Sequence, residues 1–282
     1  MYEKHFGLKQ LPFTLTPNAS LFHGLLPHYE AIQTVLSAIS MGEGVIKVTG
    51  EIGTGKTMVC RMLMSQLPVN IELLYLPNPV MNGAELRQAL AKELGLEQSG
   101  DGVALTDRIH EKLIDLQAEG KSAVVFIDEA QALCDEALET LRLFGNLETD
   151  YTKLLQIVLF GQPELDERLK QYHLRQLRQR ITFSATLRPL NMSETVAYIT
   201  HRMTESGSKT NPFLLSQMKA IWRASGGVPR LINQVCHKAL VISFSENLVQ
   251  VSKKSVFNAI LDTTDTIKPK YYFPKFWGWR TL

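Results

Sequence analysis

Residues 50–57 read Gly-Glu-Ile-Gly-Thr-Gly-Lys-Thr, the spacing of a loop that cradles phosphate. Gly50, Gly53 and Gly55 let the backbone curl so that its N–H groups converge on an anion. Lys56 is expected to reach the β- and γ-phosphates of a nucleotide as a point charge, and Thr57 to offer its hydroxyl to Mg²⁺. The expected binding set is Gly50, Glu51, Ile52, Gly53, Thr54, Gly55, Lys56, Thr57 and Met58, the last already inside a helix whose positive end also favours phosphate. Farther on, the apolar run Ala123-Val124-Val125-Phe126-Ile127 ends in Asp128-Glu129. Asp128 suits the hydration shell of Mg²⁺, and Glu129 suits the orientation and polarisation of a water. A group that activates water is not needed for transfer to a small molecule, so the pair points to hydrolysis of a phosphoanhydride.

Two stretches concentrate positive charge. Between Arg168 and Arg188 lie Lys170, Arg175, Arg178 and Arg180, and no acid. Such a run is either a solvated or nucleic-acid-facing surface, or the source of an arginine finger that reaches the γ-phosphate held by a neighbouring subunit. The second stretch is the end of the chain. From Lys268 onward it holds Lys270, Lys275 and Arg280, six aromatic residues and no acid. Aromatic and basic residues together suit a membrane–water interface or a membrane-bound partner. An arm folded back on the protein fits equally well, and stacking on single-stranded nucleic acid fits less well. The whole chain of 282 residues has a formal charge of only +2, so the remainder is acidic.

The elements that must carry these groups follow from apolar periodicity. Strands are expected at Val45–Thr49, Ile71–Leu76, Ser122–Ile127, Leu154–Phe160 and Ile181–Leu187, with amphipathic helices between them. That alternation describes an α/β fold with a parallel five-stranded sheet covered on both faces. After Pro189 the strands stop. Helices are expected at Ser193–Glu205, Pro212–Ala224, Pro229–Phe244 and Lys253–Leu261. Gly226-Gly227-Val228-Pro229-Arg230 opens one of them with Pro at the helix start. The expected organisation is a nucleotide-binding core over 1–190, an all-α lid over 191–265 and the basic aromatic tail over 266–282.

Composition narrows the class. A hydrophobic content of 45% with 21% charged residues is that of a globular chain, neither disordered nor fibrous. Cys60, Cys134 and Cys236 are too few and too far apart for a zinc knuckle or a redox pair, and the seven histidines show no metal spacing. No signal peptide or membrane-spanning run is present in the sequence, so a cytoplasmic protein is expected.

With these residues in view, the chain resembles the AAA+ ATPases over about 1–265, in the branch that includes the ExeA/GspA secretion ATPases and the transposition ATPase TniB. Phe6-Gly7-Leu8, Pro12-Phe13 and Thr16-Pro17 resemble that branch's lead-in. Phe160-Gly161-Gln162-Pro163-Glu164-Leu165 resembles its first sensor segment, with Gln162 where many relatives carry Asn, Thr or Ser. Leu177-Arg178-Gln179-Arg180-Ile181 resembles the finger motif, which favours Arg178 over Arg180. Gly227-Val228-Pro229-Arg230-Leu231-Ile232-Asn233 resembles the second sensor and places that role on Arg230. Size and tail resemble the member that serves MSHA type IV pilus biogenesis. Secretion members continue into a transmembrane helix and a periplasmic peptidoglycan-binding region, and this sequence stops before either.

The resemblance implies ATP and Mg²⁺ as ligands, bound between core and lid. It implies a homo-oligomer with the finger acting in trans, and work on an envelope machine of pilus or secretion type. A DNA-associated ATPase of the transposition type, or a nucleotide-gated scaffold with little turnover, are the alternatives.

Overall fold

The five apolar runs form β1 (Val45–Gly50), β2 (Ile71–Leu76), β3 (Ser122–Ile127), β4 (Leu155–Gly161) and β5 (Ile181–Leu187) in a computed structural model. The structure describes residues 2–14, 24–77, 79–98, 102–149, 152–269, 272–273 and 276–277. These five strands form one sheet with parallel pairing throughout, in the order β2-β3-β4-β1-β5. Parallel strands buried on both faces read as continuous apolar runs, and every residue of β4 is buried.

This order sets up the site. β4 lies between β3 and β1, with Ile127 opposite Leu159 on one side and Thr49 opposite Gly161 on the other. Because the strands are parallel, three segments leave the same edge of the sheet: the phosphate loop after β1, Asp128-Glu129 after β3 and Gln162 after β4. Ligands of open parallel sheets bind outside such carboxyl ends.

Helix α1 (Leu26–Ser40) precedes these strands, and α2 (Lys56–Gln66), α3 (Gly83–Glu93), α4 (Gly102–Ala118), α5 (Asp135–Phe144), α6 (Pro163–Leu169) and α7 (Arg175–Arg180) connect them. Asn82 caps α3 and Glu85 returns the bond in a capping box, which fixes where that helix begins. Leu86, Leu90, Ile109, Leu113, Leu138 and Leu141 pack with the sheet residues into one apolar core.

The chain divides into two compact units: 28–52 with 56–187, and 1–27 with 53–55 and 188–282. The second unit contains α8 (Met192–Glu205), α9 (Leu215–Ser225), α10 (Pro229–Ser245) and α11 (Lys253–Asp262). Asn191 and Glu194 form the capping box of α8, and Pro229 opens α10 where no N–H is needed. The sequence reading placed residues 1–27 with the sheet, whereas the structure groups them with the helices. The reason is apolar burial: Tyr2, Leu8, Phe13 and Leu25 join Ile199, Phe213, Ile221 and Val235 in the helical core. Hydrogen bonds secure the junction, from Lys9 N to Ser206 O (2.7 Å) and between the Tyr2 hydroxyl and His237 Nδ1 (2.9 Å).

In the tail, β6 (Tyr272–Phe273) and β7 (Phe276–Trp277) pair antiparallel. The side chains expected to dock on a membrane or partner, from Lys270 onward, lie outside the described residues, as does Thr16-Pro17 of the lead-in. Lys268 is described. Its ammonium bonds to Ile260 O (2.6 Å) and Leu261 O (3.0 Å), capping the carbonyl end of α11. Among the described residues, no helix is long and apolar enough to cross a membrane.

Candidate active site

The loop between β1 and α2 uses backbone that only glycine adopts cheaply: φ is +83° at Gly53 and +105° at Gly55. Gly53 is constrained twice. A Cβ there would meet Arg230 Cβ at 2.6 Å, and Arg230 N donates to Gly53 O at 3.2 Å. The tip 53–55 and the start of α10 thus belong to the same unit. Gly50 is the last residue of β1, Glu51 and Ile52 are exposed, Thr54 is buried, and Thr57 and Met58 sit half-buried in the first turn of α2.

Lys56 begins α2 and is 5% exposed. Its ammonium donates to Gly50 O (2.7 Å) and Glu51 O (3.1 Å), so the loop's own carbonyls hold it in place. Burial lowers its pKa, against the opposing fields of Glu129, Asp128, Glu51 and Glu164.

Asp128 is buried at the end of β3. Burial raises its pKa, partly offset by hydrogen bonds from the Thr57 hydroxyl and from the Glu129 backbone N–H (3.0 Å). The Thr57–Asp128 bond joins the start of α2 to the end of β3. It presents a hydroxyl and a carboxylate oxygen side by side, a hard-donor pair that fits Mg²⁺ completed by water and phosphate. Among the described residues no group of three or more His, Cys, Asp and Glu could hold a metal.

Glu129 adopts the left-handed conformation, φ +55° and ψ +40°, which L-residues populate at a cost. A 3₁₀ turn, Ala130–Ala132, follows it. Gln131 on that turn donates to Glu129 Oε2 at 2.5 Å, and Gln162 Nε2 donates to the same oxygen at 3.0 Å. Burial works to raise the pKa of Glu129, but these two bonds and the Lys56 charge outweigh it and hold the carboxyl below its usual range. Glu129 is therefore an ionised, oriented carboxylate.

Lys56, Thr57, Asp128, Glu129 and Gln162 are thus brought together in one polar cluster. Arg178 is not bonded to any of these. It is exposed on α7 and, among the described residues, makes no hydrogen bond or ion pair. Arg180, at the end of α7, lies in the field of Glu148. The other basic residues of the stretch have partners. Arg168 pairs with Asp135 and donates to Gln131 O (2.9 Å) and Leu133 O (2.5 Å). Lys170 pairs with Glu167, Arg188 binds Glu194 through both terminal nitrogens, and Arg175 stacks 4.0 Å from the Tyr172 ring centroid. Read from the sequence as an acid-free basic run, the segment has half of its six basic residues paired with acids outside it: Glu167 and Glu194 just beyond its ends, and Asp135 33 residues from Arg168.

Two residues of the site were not foreseen: Gln131, and Arg168 as the anchor of the turn. The signal for the first was an amide two residues beyond the acid pair, in Asp128-Glu129-Ala130-Gln131.

Comparison with known proteins gives the same frame. Residues 39–169 match a family model described as an AAA domain. General secretion pathway protein A of Aeromonas hydrophila is 42% identical over 247 residues, 87% of this chain and 45% of that protein. The chain therefore spans less than half the length of that relative. Among solved structures, the Aeropyrum pernix ORC2 protein, in its ADPNP-ADP complexes, superposes with a TM-score of 0.64 at 15% identity, covering 89% of this chain and 72% of that one. Thermotoga maritima RuvB, titled a Holliday junction branch migration motor, gives 0.55 at 16% identity, over 83% and 67% of the two chains. At those identities the shared feature is the fold, that of the P-loop AAA+ ATPases.

Proposed function

We propose, from the premise of an AAA domain at residues 39–169 on the P-loop AAA+ fold, that this chain binds ATP with Mg²⁺ and hydrolyses it. The observation that carries the reading is the cluster at three adjacent strand ends: Lys56 on the loop, Thr57 bonded to Asp128, and Glu129 ionised and oriented. Loop N–H groups and Lys56 bind the phosphates. Thr57 and Asp128 would hold Mg²⁺, which would supply neutralisation of phosphate charge when bound. Glu129 orients a water and takes its proton as the water oxygen bonds to the γ-phosphorus and the bridging oxygen departs with ADP. Arg230, tied through its main chain to Gly53, serves as the second sensor.

The finger is Arg178, acting on the nucleotide of a neighbouring copy in a homo-oligomer. Its support is the contrast with most of its segment: it is exposed and, among the described residues, makes no hydrogen bond or ion pair. The pathway is inferred from the relative named General secretion pathway protein A. ATP turnover here drives or switches assembly of an envelope machine of secretion or type IV pilus class, at the cytoplasmic face of the inner membrane. MSHA pilus biogenesis is the finer assignment.

Steady-state ATP turnover of wild type and Glu129→Gln, at concentrations that promote assembly, tests the reading. Equal rates would leave a nucleotide-gated scaffold instead. Binding to duplex DNA that weakens steeply with salt would favour the transposition-type alternative.

A further inference from the structure

Gln131 occupies a position that neither the phosphate loop nor the sensor motifs explain. Its side chain uses both ends of the amide at once. Nε2 donates to Glu129 Oε2 at 2.5 Å, and Oε1 accepts from the backbone N–H of Gln162 at 3.0 Å. A backbone N–H can only donate, so the amide oxygen must face Gln162 and the NH₂ must face the carboxylate. That settles the orientation of the amide by chemistry. It also restricts the residue type. An ionised Glu cannot donate, an Arg cannot accept, and Met cannot donate and accepts only weakly.

The turn bearing Gln131 is fixed from outside. Arg168 Nη1 binds Gln131 O at 2.9 Å and Leu133 O at 2.5 Å. Asp135, two residues farther on, anchors the same guanidinium. Gln162 in turn is the N-cap residue of α6, the helix that carries Arg168. Glu129, Gln131, Gln162 and α6 therefore form a closed set of contacts. Within it both side-chain donations, from Gln131 and Gln162, land on Oε2 of Glu129.

We propose that Gln131 is a positioning residue for hydrolysis: with Gln162 it fixes the rotation of the Glu129 carboxylate, commits Oε2 to the clamp and leaves Oε1 as the oxygen that orients water. The proposal rests on Glu129 being the water-activating group. It assigns Gln131 no contact with nucleotide, so its loss leaves nucleotide binding intact and lowers the chemical step. Supporting groups of this kind are typically worth about 10–100-fold in activity.

The test compares Gln131→Met and Gln131→Glu with wild type in the full chain. It uses single-turnover ATP hydrolysis, affinity for a fluorescent ATP analogue, and thermal melting to identify a variant that has not folded. Gln131→Met is expected to keep affinity within about twofold and lose about 10–100-fold in the hydrolysis rate. Gln131→Glu, which sets a second carboxylate against Glu129, loses at least as much. In the Glu129→Gln background, Gln131→Met is expected to cost nothing further, since residues acting as a unit are not additive. A structural role would instead carry its full cost into that background. An unchanged rate in folded Gln131→Met, or a loss that persists beside Glu129→Gln, overturns the proposal. Wild-type turnover no faster than Glu129→Gln overturns the hydrolysis reading, and this proposal with it.

Discussion

The cluster at the strand ends and the arginine-bearing segment 168–188 carry charge in opposite ways. In the cluster, each charged group is bound by its own chain: Lys56 by loop carbonyls, Asp128 by Thr57, Glu129 by two amides. In the segment, acids outside it take up Arg168, Lys170 and Arg188, while Arg178 is exposed and, among the described residues, unbound. The contrast has a physical reading. Groups that act on the chain's own nucleotide are held in advance, because orientation costs nothing at the moment of reaction. On the proposed reading of Arg178, a group meant for a neighbour's nucleotide is not satisfied within its own chain and stays in solvent until the neighbour arrives.

The sharpest way to break that comparison is to remove the unbound arginine. Arg178→Ala is expected to lower turnover of the assembled protein by about 10³-fold, the scale of an arginine finger. ATP affinity measured on dilute protein should stay unchanged. Next comes Glu129→Gln, which keeps the shape of the clamp but removes the base. It should lower turnover by about 10²–10³-fold, with affinity retained. Gly53→Ala places a Cβ 2.6 Å from that of Arg230 at a φ of +83°. At a strain of about 1–3 kcal/mol, ATP binding measured by titration should weaken about tenfold or more. Arg168→Ala breaks the anchor of the Gln131 turn and should lower stability by about 1–2 kcal/mol, read as the urea midpoint. Smallest of all, Arg180→Ala should change turnover by less than about threefold, the scale of a surface pair of under 1 kcal/mol. A loss at Arg180 as large as that at Arg178 would move the finger two residues.

Much of this contrast was legible in the residues, and the part that was not has a common cause. Strand ends and the loop come from local signals: apolar runs bounded by glycine, and a phosphate-loop spacing that leaves few alternatives. The β2, β3 and β5 boundaries fall where the apolar runs do, β1 runs one residue farther at its end, and β4 is displaced by one residue at both ends. Partners distant in sequence were invisible. The acid-free run from Arg168 to Arg188 suggested a bare basic surface, yet Asp135 meets Arg168 from 33 residues away. Residues 1–27 carried aromatic and apolar side chains without naming the core that would bury them. The left-handed backbone of Glu129 had no local signature either, since Glu is not among the residues enriched in that conformation. It depends on the turn anchored by Arg168 and on the amides of Gln131 and Gln162.

The division of labour between the two regions is tested most directly by mixing. Glu129→Gln retains the arginine and lacks the base, whereas Arg178→Ala retains the base and lacks the arginine. Each alone is expected to be nearly inactive under assembling conditions. If Arg178 of one copy serves the Glu129 site of the next, an equimolar mixture contains interfaces with both groups intact. ATP turnover should then recover to about a tenth or more of wild type and rise with total protein concentration. A mixture no more active than the sum of its separate components would contradict a finger acting in trans.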